Sequence, residues 1–416
     1  MVGRVTAALA VFGMFQFQWG GVLHEHPTIQ YANSPTTDPV AKLQQALTRR
    51  PQTLVRDSKT GYLRSVLSAL DVSVESQLLV FSKTGVQGAY TSPHNPRALF
   101  FNDSVVVGYV PGAPALEIAA DDAQQGVVFY TVDQTSDGAA PVRRTGCTAC
   151  HVSASTLDVP GIIVRSNTVA EDGTVVTQMG SVDVSHETPH PDRWGGWFVT
   201  QDAASAPYAQ RAHAGNISFS GKGNTSNQIL VEWRDSAPET RGYLASTSDI
   251  VSLLVFDHQM HGINLLTRLN WEARVAAYDG KTPAADAGIR TRINELADYL
   301  LFIGEQPPAV PQVALPEFAA HLQARVPKDS RGRSLGQLDL NRRLMRYPCS
   351  YLVYSAAFDG FPPAIREAVY RRMIDILSGA DQHARYARFL PEDRRAVLDI
   401  LRDTKPDFPP PEATAR

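Results

Sequence analysis

Cysteine is scarce: 3 residues among 416. A scaffold stapled by several disulfides is therefore excluded. Neither sign of charge dominates, with 39 Lys and Arg against 42 Asp and Glu and a net charge of −3. That balance lacks the basic excess a nucleic-acid partner or an acidic membrane surface demands, and no run of like charges forms an interaction tail. Past the first twenty or so residues no stretch approaches 18 consecutive apolar residues, which argues against an integral multi-span membrane protein. No internal repeat is visible. What the chain does have is bulk, 43% hydrophobic and 19% charged residues, enough for a substantial core in two domains or one large composite.

Two of the three cysteines fall in one short stretch, "RRTGCTACHVSAS" (143–155), with a histidine directly after the second. The spacing Cys147-x-x-Cys150-His151 is the attachment signature of c-type haem: the thiols add to the vinyl groups and the imidazole ligates the iron. A closed zinc site is a weaker alternative, because it wants four ligands and no second C-x-x-C is present. A thioredoxin-like dithiol is another, but it normally sits within a βαβ pattern, and none surrounds Cys147. The expected cofactor is one covalent haem c, with Cys147, Cys150 and His151 as the binding residues.

The beginning of the chain agrees with that chemistry, which takes place outside the bacterial cytoplasm. "MVGRVTAALAVFGMFQFQWGG" (1–21) carries Arg4 and then an apolar run from Val5 to Phe17, broken by Thr6, Gly13 and Gln16. Its length suits the h-region of a signal peptide and is too short to span a bilayer. The segment "QWGGVLHEH" has no clean small-x-small cleavage triplet, so an uncleaved N-terminal anchor is the alternative. Either way the expected location is periplasmic or exported, and the expected partners are the c-type haem maturation machinery and a redox protein of unknown identity.

Texture changes near residue 245. Before it, strand-like segments alternate with turn signals: 76–83, 97–110, 115–120, 126–133, 174–184 and 194–200. Two helices precede them, one opened by Asp38-Pro39 as N-cap and N1, the other around "GYLRSVLSAL". After residue 245 the pattern is helical, with a helix of some thirty residues from Asp249 opposed only by Gly262, then "RTRINELADYLLFIG", and further helices near 316–326, 338–354, 363–378 and 391–403. The expected fold class is α+β: a β-rich, haem-bearing domain at 38–245, a helical domain at 246–405 and a frayed tail at 406–416.

The chain resembles c-type cytochromes through "CTACH", five residues that are specific for haem and silent on the reaction. The position of the motif among strands sets it apart from the small all-helical carriers, and a single motif sets it apart from dihaem peroxidases. From "ALFFNDSVVVGYV" through "GVVFYTVDQ" to "CTACH" the order of elements is also similar to the cytochrome P460 and β-type cytochrome c-prime family. That resemblance implies an antiparallel sheet carrying the haem and an open distal face for nitrogen-oxide ligands. The lysine cross-link of the enzymes in that family has no identifiable counterpart here.

Candidates for the sixth iron ligand come from the long helix. Leu254, His258, His261 and Leu265 share one face at spacings of four, three and four, and that face is otherwise apolar. A buried imidazole needs a partner, and a core histidine bonded to a backbone carbonyl is the ordinary solution. A helix adjoining the sheet is nevertheless a ready cover for the haem, so His258 or His261 is expected to face the iron or its distal pocket, His258 in preference because Gly262 follows the other. Met260, Met179, His186, His190 and His213 are weaker candidates, while His24, His26 and His94 lie in polar, loop-like surroundings. Arg143 and Arg144 are positioned to pair with a propionate or to stay solvated. Cys349, on an expected helix, reads as a small core hydrophobe, and Trp194 and Trp197 as anchors of a turn onto the sheet.

Two classes of function are compatible with this equipment. One is a monohaem electron-transfer protein with both axial positions filled. The other is a haem enzyme or small-ligand binder, for peroxide or nitrogen oxides, with an open distal site. No catalytic residue is identifiable, and electron transfer requires the least additional machinery.

Overall fold

The computed structural model describes residues 22–50, 54–199, 242–307 and 316–410. Helix α1 (Pro39–Arg49) starts where Asp38 accepts from the amides of Val40 and Ala41, with Pro39 at the first position, whose missing N–H costs nothing there. Helix α2 spans Leu63–Ala69. Strands β1 (Leu78–Val80), β2 (Arg97–Phe101), β3 (Val105–Tyr109), β4 (Ala115–Asp122), β5 (Gly126–Asp133) and β6 (Val142–Arg143) form an antiparallel meander. After the short helix α3 (Thr148–His151) come the hairpin β7 (Arg165–Asn167) and β8 (Ser181–Asp183), and then β9 (Trp197–Phe198), which returns to pair with β1. The main sheet thus has the order β6-β5-β4-β3-β2-β1-β9.

Strand alternation gives this sheet two different faces. Phe100, Val107, Ile118, Val128 and Tyr130 face α1 and α2 through Leu43, Leu63 and Val66. Phe101, Val106, Val127 and Phe129 face the opposite way. There they meet α4 (Ile250–Tyr278), a 29-residue helix capped by Asp249 and buried on nearly every side. Its charged residues are limited to Asp257, Arg268, Glu272 and Arg274, and α4 lies between the sheet and the remaining helices. Those are α5 (Ala287–Leu300), α6 (Pro316–Ala324), α7 (Ala356–Asp359), α8 (Pro363–Ser378) and α9 (Pro391–Thr404). Gly262 is no weakness in α4. A Cβ there would stand 2.4 Å from Leu352 and 3.2 Å from Tyr299, so glycine permits the close approach of both.

The fold is α+β: among the described residues the strands lie in the first half and the long helices in the second. The change of texture at residue 245 does not divide the core, however. One hydrophobic cluster runs from Leu78, Phe101 and Phe129 of the sheet through α4 to Val369 of α8 and Leu401 of α9. Three local expectations are corrected. Residues 338–354 are turns ending in a 3-10 segment at Tyr351–Tyr354, not a helix. Pro348 lacks the amide a helix interior needs, and Leu340 holds a left-handed φ of 65°. Cys349 therefore sits in an irregular segment, although it is fully buried as expected and burial pushes its thiol up. Within 174–184 only Ser181–Asp183 is strand, preceded by an isolated bridge between Val169 and Val175. As far as Pro410 the tail is anchored rather than frayed: Phe408 is buried 5.0 Å from the Tyr370 ring, and Asp407 pairs with Arg366 at 2.6 Å.

Candidate functional site

Strand β6 ends at the motif. Arg143 does not reach toward a ligand; it donates to the carbonyls of Tyr31 and Ser34 and lies 5.3 Å over the Tyr31 ring, clamping the segment before α1 to the sheet. Arg144 is exposed, donates to Thr131 at 2.8 Å and leaves the rest of its guanidinium at the surface. A 3-10 turn (Thr145–Cys147) then runs directly into α3, a single helical turn that places Cys147, Cys150 and His151 on adjoining faces. The two thiols are not joined; Cys147 is half-buried and Cys150 exposed.

His151 is held by a loop that closes on itself. Its Nδ1 lies 2.9 Å from the Gly161 carbonyl, the Gly161 amide donates back to the His151 carbonyl at 3.0 Å, and Thr156 adds a bond to the same carbonyl. A carbonyl only accepts, so Nδ1 carries the proton; burial lowers the basicity of the ring, which leaves Nε2 as an unprotonated lone pair. Phe129 on β5 packs against the ring at 4.5 Å between centroids. On the same sheet face, Phe101, Val106, Ala119 and Phe129 lie in register, and beside them runs the row Leu99, Gly108, Glu117, Thr131. Leu99 and Ala119 are only partly covered, and the buried Gly108 between their strands contributes no side chain. Arg97 and Glu117, 3.6 Å apart, border it, and both act electrostatically on His151.

These features weigh on the alternatives to haem. Among the described residues no group of three or more His, Cys, Asp or Glu side chains converges to hold a metal ion. A redox dithiol wants a depressed thiol pKa, whereas burial, with Glu117 nearby, pushes Cys147 upward.

Helix α4 occupies a different place from the one expected of it. Asn264 holds the Gly161–Ile162 segment against the helix, accepting from the Ile162 amide at 3.2 Å and donating to its carbonyl at 2.9 Å. The helix is therefore on the Nδ1 side of His151. The ring nitrogens of an imidazole point in nearly opposite directions, so a metal on Nε2 would lie away from α4. His258 has in addition no free nitrogen: Nδ1 lies 2.7 Å from Nδ1 of His186 and Nε2 2.7 Å from Oγ of Ser350. The pair stacks on Tyr299 and Phe302 in the core. His261 is half-buried 5.1 Å from the Tyr299 ring, and the charges that act on it belong to Glu295 of α5 and Asp183 of β8. This placement lends no support to the expectation that either histidine faces the iron or its distal pocket. Sequence periodicity identified their shared face; it could not show which side of His151 that face would occupy.

The weaker candidates are also located. His186 belongs to the buried pair, and His190 bonds the Pro307 carbonyl at 3.0 Å. Met260 is buried in α4, while Met179 is 37% exposed on a surface turn. His94 is exposed. His213 and residues 1–21 lie outside the described residues. Trp194 and Trp197 are core anchors as expected, their indoles donating to Asp257 and to the Arg165 carbonyl, both at 2.9 Å. Missed from the sequence were Gly161, Asn264, Phe129 and Ser350. The available signal was the set of uncharged polar residues on an otherwise apolar α4: Gln259, Asn264 and Asn270 each bond a backbone carbonyl of the first half of the chain.

The buried pair makes a measurable prediction. Burial lowers His258 from 6.5 to about 3, so below pH 6.5 the unfolded chain takes up a proton that the folded one refuses. Stability from this residue is complete above pH 6.5 and is lost as pH falls toward the folded value. Between pH 6 and 4, urea unfolding of His258→Asn is expected to depend on pH less steeply than wild type in the acid-destabilising direction, by roughly 1 kcal/mol per pH unit. Buried carboxylates such as Asp257 act in the opposite sense, but they are common to both proteins and cancel in the difference. Parallel slopes would contradict the assignment of His258 as a neutral core residue.

No family model, curated protein or solved structure matches the chain. Its function has to be argued from the site. Among the described residues no helix is long and apolar enough to cross a membrane.

Proposed function

We propose that the chain is an exported monohaem c-type cytochrome with Cys147 and Cys150 as the covalent attachment points and His151 as an axial ligand. The observation that carries the reading is the state of His151: Nδ1–H is committed to the Gly161 carbonyl, and Nε2 is left as a lone pair on the turn that holds two unpaired thiols. A histidine ligand in proteins typically donates its other N–H to a carbonyl or carboxylate, which sets tautomer and orientation. Each thiol would add its S–H across a vinyl group of the porphyrin, forming a thioether with no leaving group. The partly covered Leu99 and Ala119 on either side of Gly108 offer apolar surface for the macrocycle, and Arg144 is the available cation for a propionate.

Bound haem supplies a one-electron iron couple. Electron transfer is favoured over small-molecule chemistry because Cys150 is exposed, which puts one thioether edge at the surface where a redox protein can approach. The far side of the inner membrane is the expected location, since attachment occurs there and residues 1–21 have the proportions of an export signal.

The test is production in a host with the c-type maturation machinery, followed by cell fractionation, acid-acetone extraction and ferric electron paramagnetic resonance. Periplasmic or membrane-bound protein whose colour resists extraction, with a low-spin signal, is expected. Colourless protein correctly exported would overturn the haem assignment. A high-spin five-coordinate signal would overturn electron transfer in favour of the ligand-binding alternative.

A further inference from the structure

Helix α4 contributes to the candidate haem site from behind, through one peptide unit. The Gly161–Ile162 peptide is bonded at both ends: its carbonyl accepts from Nδ1 of His151 at 2.9 Å, and its N–H donates to Oδ1 of Asn264 at 3.2 Å. The Asn264 side chain is 1% exposed and is oriented by its second bond, from Nδ2 to the Ile162 carbonyl at 2.9 Å. The fit leaves no slack, for a Cβ on Gly161 would stand 2.1 Å from Oδ1 of Asn264 and 3.1 Å from Cβ of Thr156. Sequence positions 151, 161–162 and 264 are thus joined in one hydrogen-bonded chain that links the first half of the molecule to the helix at its centre.

We infer that Asn264 is a positioning residue for the axial histidine and sets the reduction potential of the bound iron through the Gly161–Ile162 peptide. This inference rests on the haem reading proposed above. Its physical basis is the polarisation of a peptide bonded at both ends: a hydrogen bond accepted from N–H makes the carbonyl at the other end a stronger acceptor. A stronger acceptor draws the Nδ1 proton of His151 further out and makes Nε2 a stronger donor to the iron, which stabilises the ferric state. The same two bonds fix the plane of the peptide and hence the rotation of the imidazole about its bond to the metal. Asn264 is separated from His151 by that peptide, and its side chain bonds only to Ile162. Its effect passes entirely through backbone.

Asn270 is the natural control. It lies on the same helix, is 3% exposed, and likewise donates to backbone carbonyls, those of Ala123 and Gly360, both at 3.2 Å. Neither of those residues belongs to the loop that holds His151.

The experiment compares full-length holoprotein of wild type, Asn264→Leu, Asn264→Ser and Asn270→Ser. Haem content per chain is measured first, then the midpoint potential by redox titration and the ferric paramagnetic resonance spectrum. Loss of the Asn264 bond is expected to shift the ferric-to-ferrous ratio at a fixed ambient potential about tenfold toward ferrous, a rise of about 59 mV for one electron. Asn264→Ser, which keeps a hydroxyl, should shift less than Asn264→Leu, and Asn270→Ser should coincide with wild type. Should Asn264→Leu fail to fold, the serine variant carries the comparison by itself. Asn264 variants that hold a full complement of haem with unchanged potential and spectrum would overturn the inference, as would an equal shift in Asn270→Ser. Wild type without covalent haem is a different result and overturns the haem reading itself.

Discussion

On the proposed haem reading, replacing both Cys147 and Cys150 with alanine is expected to abolish covalent haem retention altogether while leaving the chain folded. The two thiols are the only ones on the turn, and the third, on Cys349, is fully buried and cannot substitute for them. Folding should survive because no disulfide is removed, and an exposed side chain such as Cys150 contributes within about 0.5 kcal/mol. Each single variant should keep one thioether and therefore its colour, with the pyridine haemochrome band displaced to longer wavelength by the remaining unsaturated vinyl group. His151→Ala differs in kind: haem attached through two thioethers should persist, with the low-spin signal lost. The measurements are haem staining after denaturing electrophoresis and the haemochrome spectrum. Haem retained covalently in the double variant would contradict the assignment of these cysteines.

The largest loss of stability is expected from a pair that has no direct part in the site. Arg193, just ahead of β9, places Nη1 3.4 Å from Oδ2 of Asp257 on α4, and the two side chains are 1% and 0% exposed. Arg193 also donates to the carbonyls of Thr188 at 2.7 Å and His186 at 2.9 Å, and the Trp194 indole donates to the same Asp257 oxygen. Burial outweighs the attraction on both sides, pushing Asp257 up to about 7 and Arg193 down. Such a pair adds little net stability, yet removing one member strands the other charge without water. Asp257→Ala or Arg193→Ala should each cost about 3–5 kcal/mol. The joint replacement Arg193→Leu with Asp257→Leu should cost much less than the sum of the two single losses. Urea unfolding curves of the four proteins provide the check, and additive losses would show that the charges are not coupled.

Different parts of this molecule were legible for different reasons. The boundaries of α4, α8 and α9 could be read almost to the residue, because caps and prolines act locally: Asp249 at the N-cap, Pro363 and Pro391 at the first helical positions. The strand-like segments 97–110, 115–120 and 126–133 followed from alternation and turn residues in the same way, the first proving to be two strands, 97–101 and 105–109. Residues 338–354 were misread as helix because their apolar spacing reflects insertion into the core between other elements. Leu344, Met345, Cys349 and Leu352 are all buried there without any regular period being needed. Phe408 shows the converse, a short polar-looking tail held by one aromatic ring and one ion pair.

What the sequence by itself determined is chemical and local: two thiols and an imidazole at a fixed spacing on one turn, and the helices and strands whose caps and periods lie within a few residues. What only the tertiary structure decided is direction. A face of α4 bearing His258 and His261 is visible in the spacing, but which side of His151 that helix occupies depends on where residue 161 meets residue 264. That meeting is set by the packing of sheet against helix across a hundred residues of chain, where no local propensity acts. The same long-range closure gave His258 its partners, His186 and Ser350, one far before it in the chain and one far after, and so made a core residue of a histidine whose neighbours in sequence left it free to be a ligand.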